Sequence, residues 1–427
     1  MNFKTLLLGS AAAMLVAGSA QAADLTVAEP VDYVKVCDAF GTGFFYSPGT
    51  DTCIKVGGYV KFGTSFGDRS DLYKRNGDPI RFNGAYPDSN WGNFYTEASV
   101  QLTASSVTEY GNLTGFLDFR AATSNSPGNS GQTIDQYLNN TTKSAYVDSA
   151  YLELGPLKAG YFTSLFDFGR GYNDTGMFGS DSTVDHIQLT YAVNGFGLAI
   201  SVEDSRDRGQ FANGVVNDPD FGFVGYDLET DNVPDVVGAV TYASGIFSAK
   251  VAAAYTNQAV TADYANGILD GDSGWAVGGG LEIALDSFSA GDRFFVSAAY
   301  GDDANSYTGI AGGTSVAGFA GVGLNAVASA LPGSSWSALA SYKHVWTPQL
   351  WSSLSGGYAS YDGSDFMDGT TLDAWRVGFT TAYTPVKGLD IVGDVFYTDI
   401  DLTDDFDSDN NADGNGWTFN LFLKRSW

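Results

Sequence analysis

The sequence is poor in histidine, cysteine and cationic side chains, and each scarcity removes a class of function. Two histidines and two cysteines stand in 427 residues, too few for the clustered ligand sets of zinc, haem or iron–sulfur proteins. No cofactor and no metal are expected. Lysine and arginine together number 21 against 49 aspartates and glutamates, a net charge of −28. The basic patch that a phosphate backbone requires is missing, which excludes nucleic acid as a partner. Long apolar runs are missing too. The stretch Thr5–Gly18 stops short of the ~20 residues of a spanning helix, and the apolar stretch 309–333 is broken by glycines and Asn325. Disorder is excluded by a hydrophobic content of 44% and an aromatic content of 14%.

What is present begins with an export signature. Lys4, an apolar small-residue stretch and then Ala20-Gln21-Ala22 follow the charged, apolar, small-residue order of a secretory leader. Residues 1–22 are read as that leader, 23–53 as an N-terminal segment, and 54–427 as one domain. In an exported chain, Cys37 and Cys53 read as one disulfide. A loop of this length restrains the unfolded chain by about 3 kcal/mol on the entropic account.

From residue 54 onward, apolar and polar residues alternate in about sixteen segments, the signature of half-buried strands. They lie near 54–66, 92–107, 113–123, 144–154, 157–163, 187–194, 196–204, 235–244, 246–257, 274–286, 292–301, 335–346, 350–361, 372–384, 388–400 and 416–427. Tight turns such as Gly155-Pro156, Asn194-Gly195 and Ser244-Gly245 alternate with long connections such as 67–91, 164–186 and 301–334. In an up-and-down sheet that puts every short turn at one end. One apolar phase along nearly every strand, a polar opposite phase, and aromatics such as Trp346, Trp351 and Tyr383 near strand ends mark a transmembrane antiparallel β-barrel. Such a barrel must close, because edge amides cannot be solvated in lipid. The last strand, with Trp417, Phe419, Leu421, Leu423 and Trp427 on one phase, is expected to pair with the first.

The stretch "AEPVDYVKVCDAFGTGFFYSPGTDTCIKVGGYVKFG", residues 28–63, resembles the N-terminal signature of the alphaproteobacterial general porins, and "AGYFTSLFDFGRGYNDTGMFGSD", residues 159–181, resembles that family's third loop. The resemblance extends over the chain beyond the leader. It implies a sixteen-stranded outer-membrane barrel with an inward-folded third loop, a homotrimer, and passive diffusion of small hydrophilic solutes and ions. It also implies that Trp427 serves as the terminal aromatic read by the outer-membrane assembly machinery, where most such chains carry Phe.

A pore's selectivity follows its width and the side chains lining it. The third long connection carries Asp167, Asp174, Asp181 and Asp185, with Arg170 as countercharge. Lys61, Arg120, Lys158 and Arg376 fall on polar strand phases and are expected to face them, with Lys55, Lys250, Lys343 and Lys424 at other heights. Weak cation preference is the expectation. A substrate-specific channel and an adhesin-like barrel working through its loops are the alternatives. A hydrolase would need a serine motif beside His186 or His344, and neither has one. Asp409, Asn411, Asp413 and Gly414 match the start of a calcium loop, but its twelfth position is Asn420 rather than Glu. A solvated outer loop is expected there, with loose divalent binding shared with lipopolysaccharide phosphates as the alternative.

Overall fold

The computed structural model describes residues 36–68, 74–75, 78–79, 90–124, 142–173, 178–208, 213–218, 222–227, 233–263, 268–309, 333–364, 369–404 and 412–427. The leader, Asp174 and most of 309–333 lie outside the described residues.

Sixteen strands build the wall: β1 Cys53–Asp68, β2 Asn90–Thr108, β3 Gly111–Ser124, β4 Thr142–Leu154, β5 Leu157–Thr163, β6 Thr183–Val193, β7 Phe196–Glu203 and β8 Asp235–Ala243 form the first half. The second half is β9 Phe247–Asp263, β10 Ile268–Ala284, β11 Arg293–Asp302, β12 Gly333–Thr347, β13 Leu350–Gly363, β14 Thr370–Val386, β15 Leu389–Asp404 and β16 Ala412–Ser426. Each strand pairs antiparallel with its neighbours in sequence, and β1 closes the ring: Phe62 pairs with Thr96 of β2 on one side and Leu423 of β16 on the other. Closure leaves the wall without a free edge.

Burial follows the two-residue period. On β7, Leu198, Ile200 and Val202 are exposed while Ser201 and Glu203 are shielded; on β14, Trp375, Val377 and Phe379 are exposed while Arg376 and Thr380 are shielded. The exposed phase is apolar and faces outward, and the shielded phase faces the lumen. Asn194 and Gly195 both adopt positive φ (51° and 82°), the twist a two-residue hairpin demands.

The strands run further toward the long connections than the apolar alternation does. β9 and β10 pair on through Ala259↔Asp272 to Asp263↔Ile268, where a loop was expected over 258–273. Asp413 and Gly414 likewise pair with Asp401 and Ile400, so the calcium-like motif ends in extended strand instead of a coordinating turn. Above the lipid the outward phase no longer has to be apolar, yet the ladder continues. A separate hairpin, 213–218 with 222–227, stands in the connection before β8.

Aromatics form a girdle near the long-connection end. Trp275 of β10 meets Tyr300 of β11 at 5.5 Å, Trp336 of β12 meets Tyr358 of β13 at 5.0 Å, Trp375 of β14 meets Tyr397 of β15 at 5.2 Å, and Tyr397 meets Trp417 of β16 at 5.1 Å. At the opposite end Cys37 is disulfide-bonded to Cys53, with their Cα atoms 6.0 Å apart, and Phe45 pairs with Ile54. The terminal Trp427 donates its backbone N–H to the Gly58 carbonyl at 3.2 Å, which ties down the end of the chain.

Candidate functional site in the barrel lumen

The segment between β5 and β6 makes its contacts with shielded residues of distant strands. Lys250 of β9 donates to the Asp167 carbonyl at 2.9 Å. Tyr172 donates its hydroxyl to Glu282 of β10 at 2.6 Å and its backbone N–H to Ser341 of β12 at 3.1 Å, and its carbonyl accepts from Ser353 of β13. Two aromatics seat on glycines. A Cβ on Gly278 would come within 2.8 Å of the Phe168 ring, and one on Gly280 within 3.0 Å of Phe168 Cβ; on Gly357 it would come within 3.0 Å of the Phe178 ring. A glycine run inside a strand signals close approach, so the Gly278-Gly279-Gly280 run was a legible marker that sequence reasoning did not use.

The base of this segment is held by a buried hub. Glu203, at the end of β7, accepts from Ser164 at 2.8 Å, the Leu165 amide at 3.0 Å, Ser201 at 2.7 Å and the Arg208 guanidinium at 3.1 Å. Arg208 also donates to Ser164 and, at 3.2 Å, to Ser180, and lies 3.8 Å from the centroid of Tyr307. Tyr307 in turn donates to Asp235 at 2.6 Å. Both side chains of the Arg208–Glu203 pair are fully shielded. Three long connections thus meet at one ion pair. Neither partner was singled out from the sequence, because Arg208 sits in an irregular stretch with no periodic phase.

The expected site residues disperse. Asp167 turns into the hub, accepting from Ser180 and from the Ser182 amide at 2.6 Å. Burial pushes its carboxyl up to about 6, opposed by the charge of Arg208 and by those two hydrogen bonds. Asp181 pairs with Arg170 at 2.8 Å and is 56% exposed. Asp185 belongs to β6, not to the connection. It sits on the exposed phase two residues before Ile187, and its amide donates to Asp207 at 2.7 Å. His186, on the opposite phase, packs its ring 3.7 Å from that of Phe162, so Asp185 and His186 point apart. His344 bonds Asp292 at 2.9 Å.

Among the expected cations, Arg120 bridges Asp118 at 2.9 Å and Asp148 at 2.7 Å. The bridge depends on a register shift between Asp118 and Phe119, where β4 carries one extra residue, Asp148, and a bulge re-aims side chains in this way. Lys61 lies directly across the closing seam from Lys424 and across from Glu97 on its other side. Its ammonium is 4.1 Å from the Phe422 ring centroid, and that of Lys424 is 4.3 Å from Tyr59. Arg376 donates to Thr398 at 2.9 Å, 5.9 Å from the Phe178 ring. Lys158 lies over Tyr151 at 3.7 Å and Phe162 at 4.0 Å. Lys61, Lys424 and Arg120 therefore share the β16–β3 side of the wall, Arg376 lies by the segment itself, and Lys158 and Lys250 stand near its root.

Known proteins share this architecture. The outer membrane channel DcaP of Acinetobacter baumannii superposes with a TM-score of 0.58 over 90% of this chain and 99% of that one, at 17% identity, a likeness of fold. A putative outer membrane protein of Sinorhizobium fredii, y4fJ, is 38% identical over 218 residues, half of this chain and 58% of its own length. Porin Omp2b of Brucella suis is 35% identical over 254 residues, 57% of this chain and 63% of that protein. The aligned stretches thus span less than two thirds of either relative. A closed barrel with an apolar outer belt, in the company of these relatives, places the protein in the bacterial outer membrane. Residues 24–419 match the family described as "Porin subfamily", and the chain belongs to that porin family.

Proposed function

We propose that the protein is a passive, water-filled pore for small hydrophilic solutes and ions, weakly cation-selective, and narrowed by the segment 164–182. The observation that carries this reading is the one-sided seating of that segment. Its contacts run from Lys250 on β9 through Glu282, Ser341 and Ser353 to the neighbourhood of Arg376 on β14, and the passage is left between it and the β16–β4 wall. That wall presents Lys61, Lys424 and the Asp118–Arg120–Asp148 cluster, opposite Asp181 and Arg170. A transverse field results: two unit charges about 8 Å apart interact by ~2 kcal/mol at an effective dielectric of ~20. The excess of 49 acidic over 21 basic residues supports the cation preference. In this reading Asp167 acts on the constriction only indirectly, through the anchorage of the segment, and Asp185, on the exposed phase of β6, takes no part in it.

The porin family membership supports assembly as a homotrimer in a lipopolysaccharide-bearing membrane, with Trp427 at the end of β16 engaging the assembly machinery. Liposome swelling tests the transport reading. Uptake rates of sugars should fall smoothly with solute size and rise linearly with concentration. Saturation for one solute would instead identify a substrate-specific channel.

A further inference from the structure

The lumen wall at the root of the segment carries a cavity of about 560 Å³. Lys158 of β5 and Lys250 of β9 both line it, together with Gln188 and Thr190 of β6 and Thr241 of β8. We propose that this cavity is a binding subsite for a small oxyanion, the phosphate or carboxylate group of a permeating solute.

The donor set points that way. The Lys158 ammonium rests on the rings of Tyr151 and Phe162; Glu153 is its cross-strand partner, yet among the described residues no carboxylate lies within ion-pair distance of it. Ring faces attract a cation but accept none of its N–H bonds in the usual sense, so its three donors remain open to a ligand. Lys250 gives one N–H to the Asp167 carbonyl and has two more. Gln188 donates to the Thr190 hydroxyl at 2.9 Å, which leaves that hydroxyl's proton free to donate into the cavity. Two ammonium groups and a hydroxyl donor lining one half-open cavity match an anion with several oxygens. Asp148 and Asp167 also line the cavity, but Arg120 meets the charge of Asp148 at 2.7 Å, and the Asp167 carboxylate is turned to Ser180 and the Ser182 amide. In a chain of net charge −28, such a spot would offset the repulsion an anionic solute meets on its way through.

The proposal uses the pore reading only for the solute's route, so binding and conduction are tested separately. With the full-length protein in a non-ionic detergent, the phosphorus-31 resonance of inorganic phosphate should broaden on addition of protein. Lys158→Gln, which leaves the Lys250–Asp167 contact intact, should weaken the titrated affinity at least fivefold. Lys158→Gln with Lys250→Gln should weaken it at least thirtyfold, whereas Lys158→Arg should retain it. Lys343→Gln, whose ammonium lies over Trp351 instead, should change nothing. Absence of broadening with wild-type protein, or equal broadening with the double variant, overturns the subsite. Phosphate binding by a protein that shows no conductance in potassium chloride would uphold the subsite and overturn the pore reading.

Discussion

Asp167 and Arg208 differ in how far a sequence can reveal them, and both can be tested one side chain at a time. Asp167 was visible as an acidic residue in the right connection, but its direction was not: its backbone turns it toward Ser180 and Ser182, a consequence of tertiary packing that no spacing encodes. Because burial raises its folded value to about 6, above the ordinary carboxylate range near 4, its stabilising contribution is complete below pH 4 and is lost as pH rises through 6. Denaturant unfolding of wild type and Asp167→Asn should therefore show the difference in stability moving in favour of Asn between pH 4.5 and 7.5. A difference independent of pH would contradict the assignment. Arg208 faces Glu203 in a fully shielded pair, and removing one partner of such a pair costs about 3–5 kcal/mol, because the other charge is left buried. Arg208→Met should lower the denaturant midpoint accordingly, and Arg208→Met with Glu203→Gln should recover most of the loss. Additive losses would mean that the two residues act independently.

At the scale of strands and connections, the apolar alternation located every wall strand, since in lipid the outward phase must be apolar and the signal is forced by the solvent. It ended early where strands rise above the lipid, as at Ala259↔Asp272, and it put Asp185 in the connection although that residue pairs with Tyr161. The anchorage of residues 164–182 rests on partners up to 181 positions away, which one-dimensional spacing does not report. Two substitutions probe these elements. Leu423 lies on the outward phase of β16, beside the closing seam. A carboxylate on that lipid-facing phase is destabilising, though by less than the ~2–4 kcal/mol of an Arg or Lys at the midplane, so Leu423→Asp should weaken the heat-modifiable band of the folded barrel in electrophoresis. Gly278→Val would place side-chain atoms where Phe168 lies, its Cβ alone coming within 2.8 Å of the ring. It should displace the segment, raising single-channel conductance while the barrel still folds; an unchanged conductance would mean that the segment does not narrow the passage.

For the whole molecule, charge and closure set the behaviour. The ring of strands needs no partner to satisfy its edges, and in a chain of net charge −28 Lys61, Lys424 and Arg120 share one side of the lumen while Arg170 and Arg376 lie at the segment. Screening falls to ~3 Å at 1 M salt, so selectivity arising from charge should fade there while conductance persists. Whether this barrel is an open aqueous pore is decided by single-channel recording in a planar bilayer. Purified protein should insert in discrete steps whose conductance rises linearly with potassium chloride up to 1 M, with a reversal potential in a salt gradient that favours potassium at low salt. Folded, heat-modifiable protein that inserts without conducting, or whose current saturates with salt, would contradict an open pore.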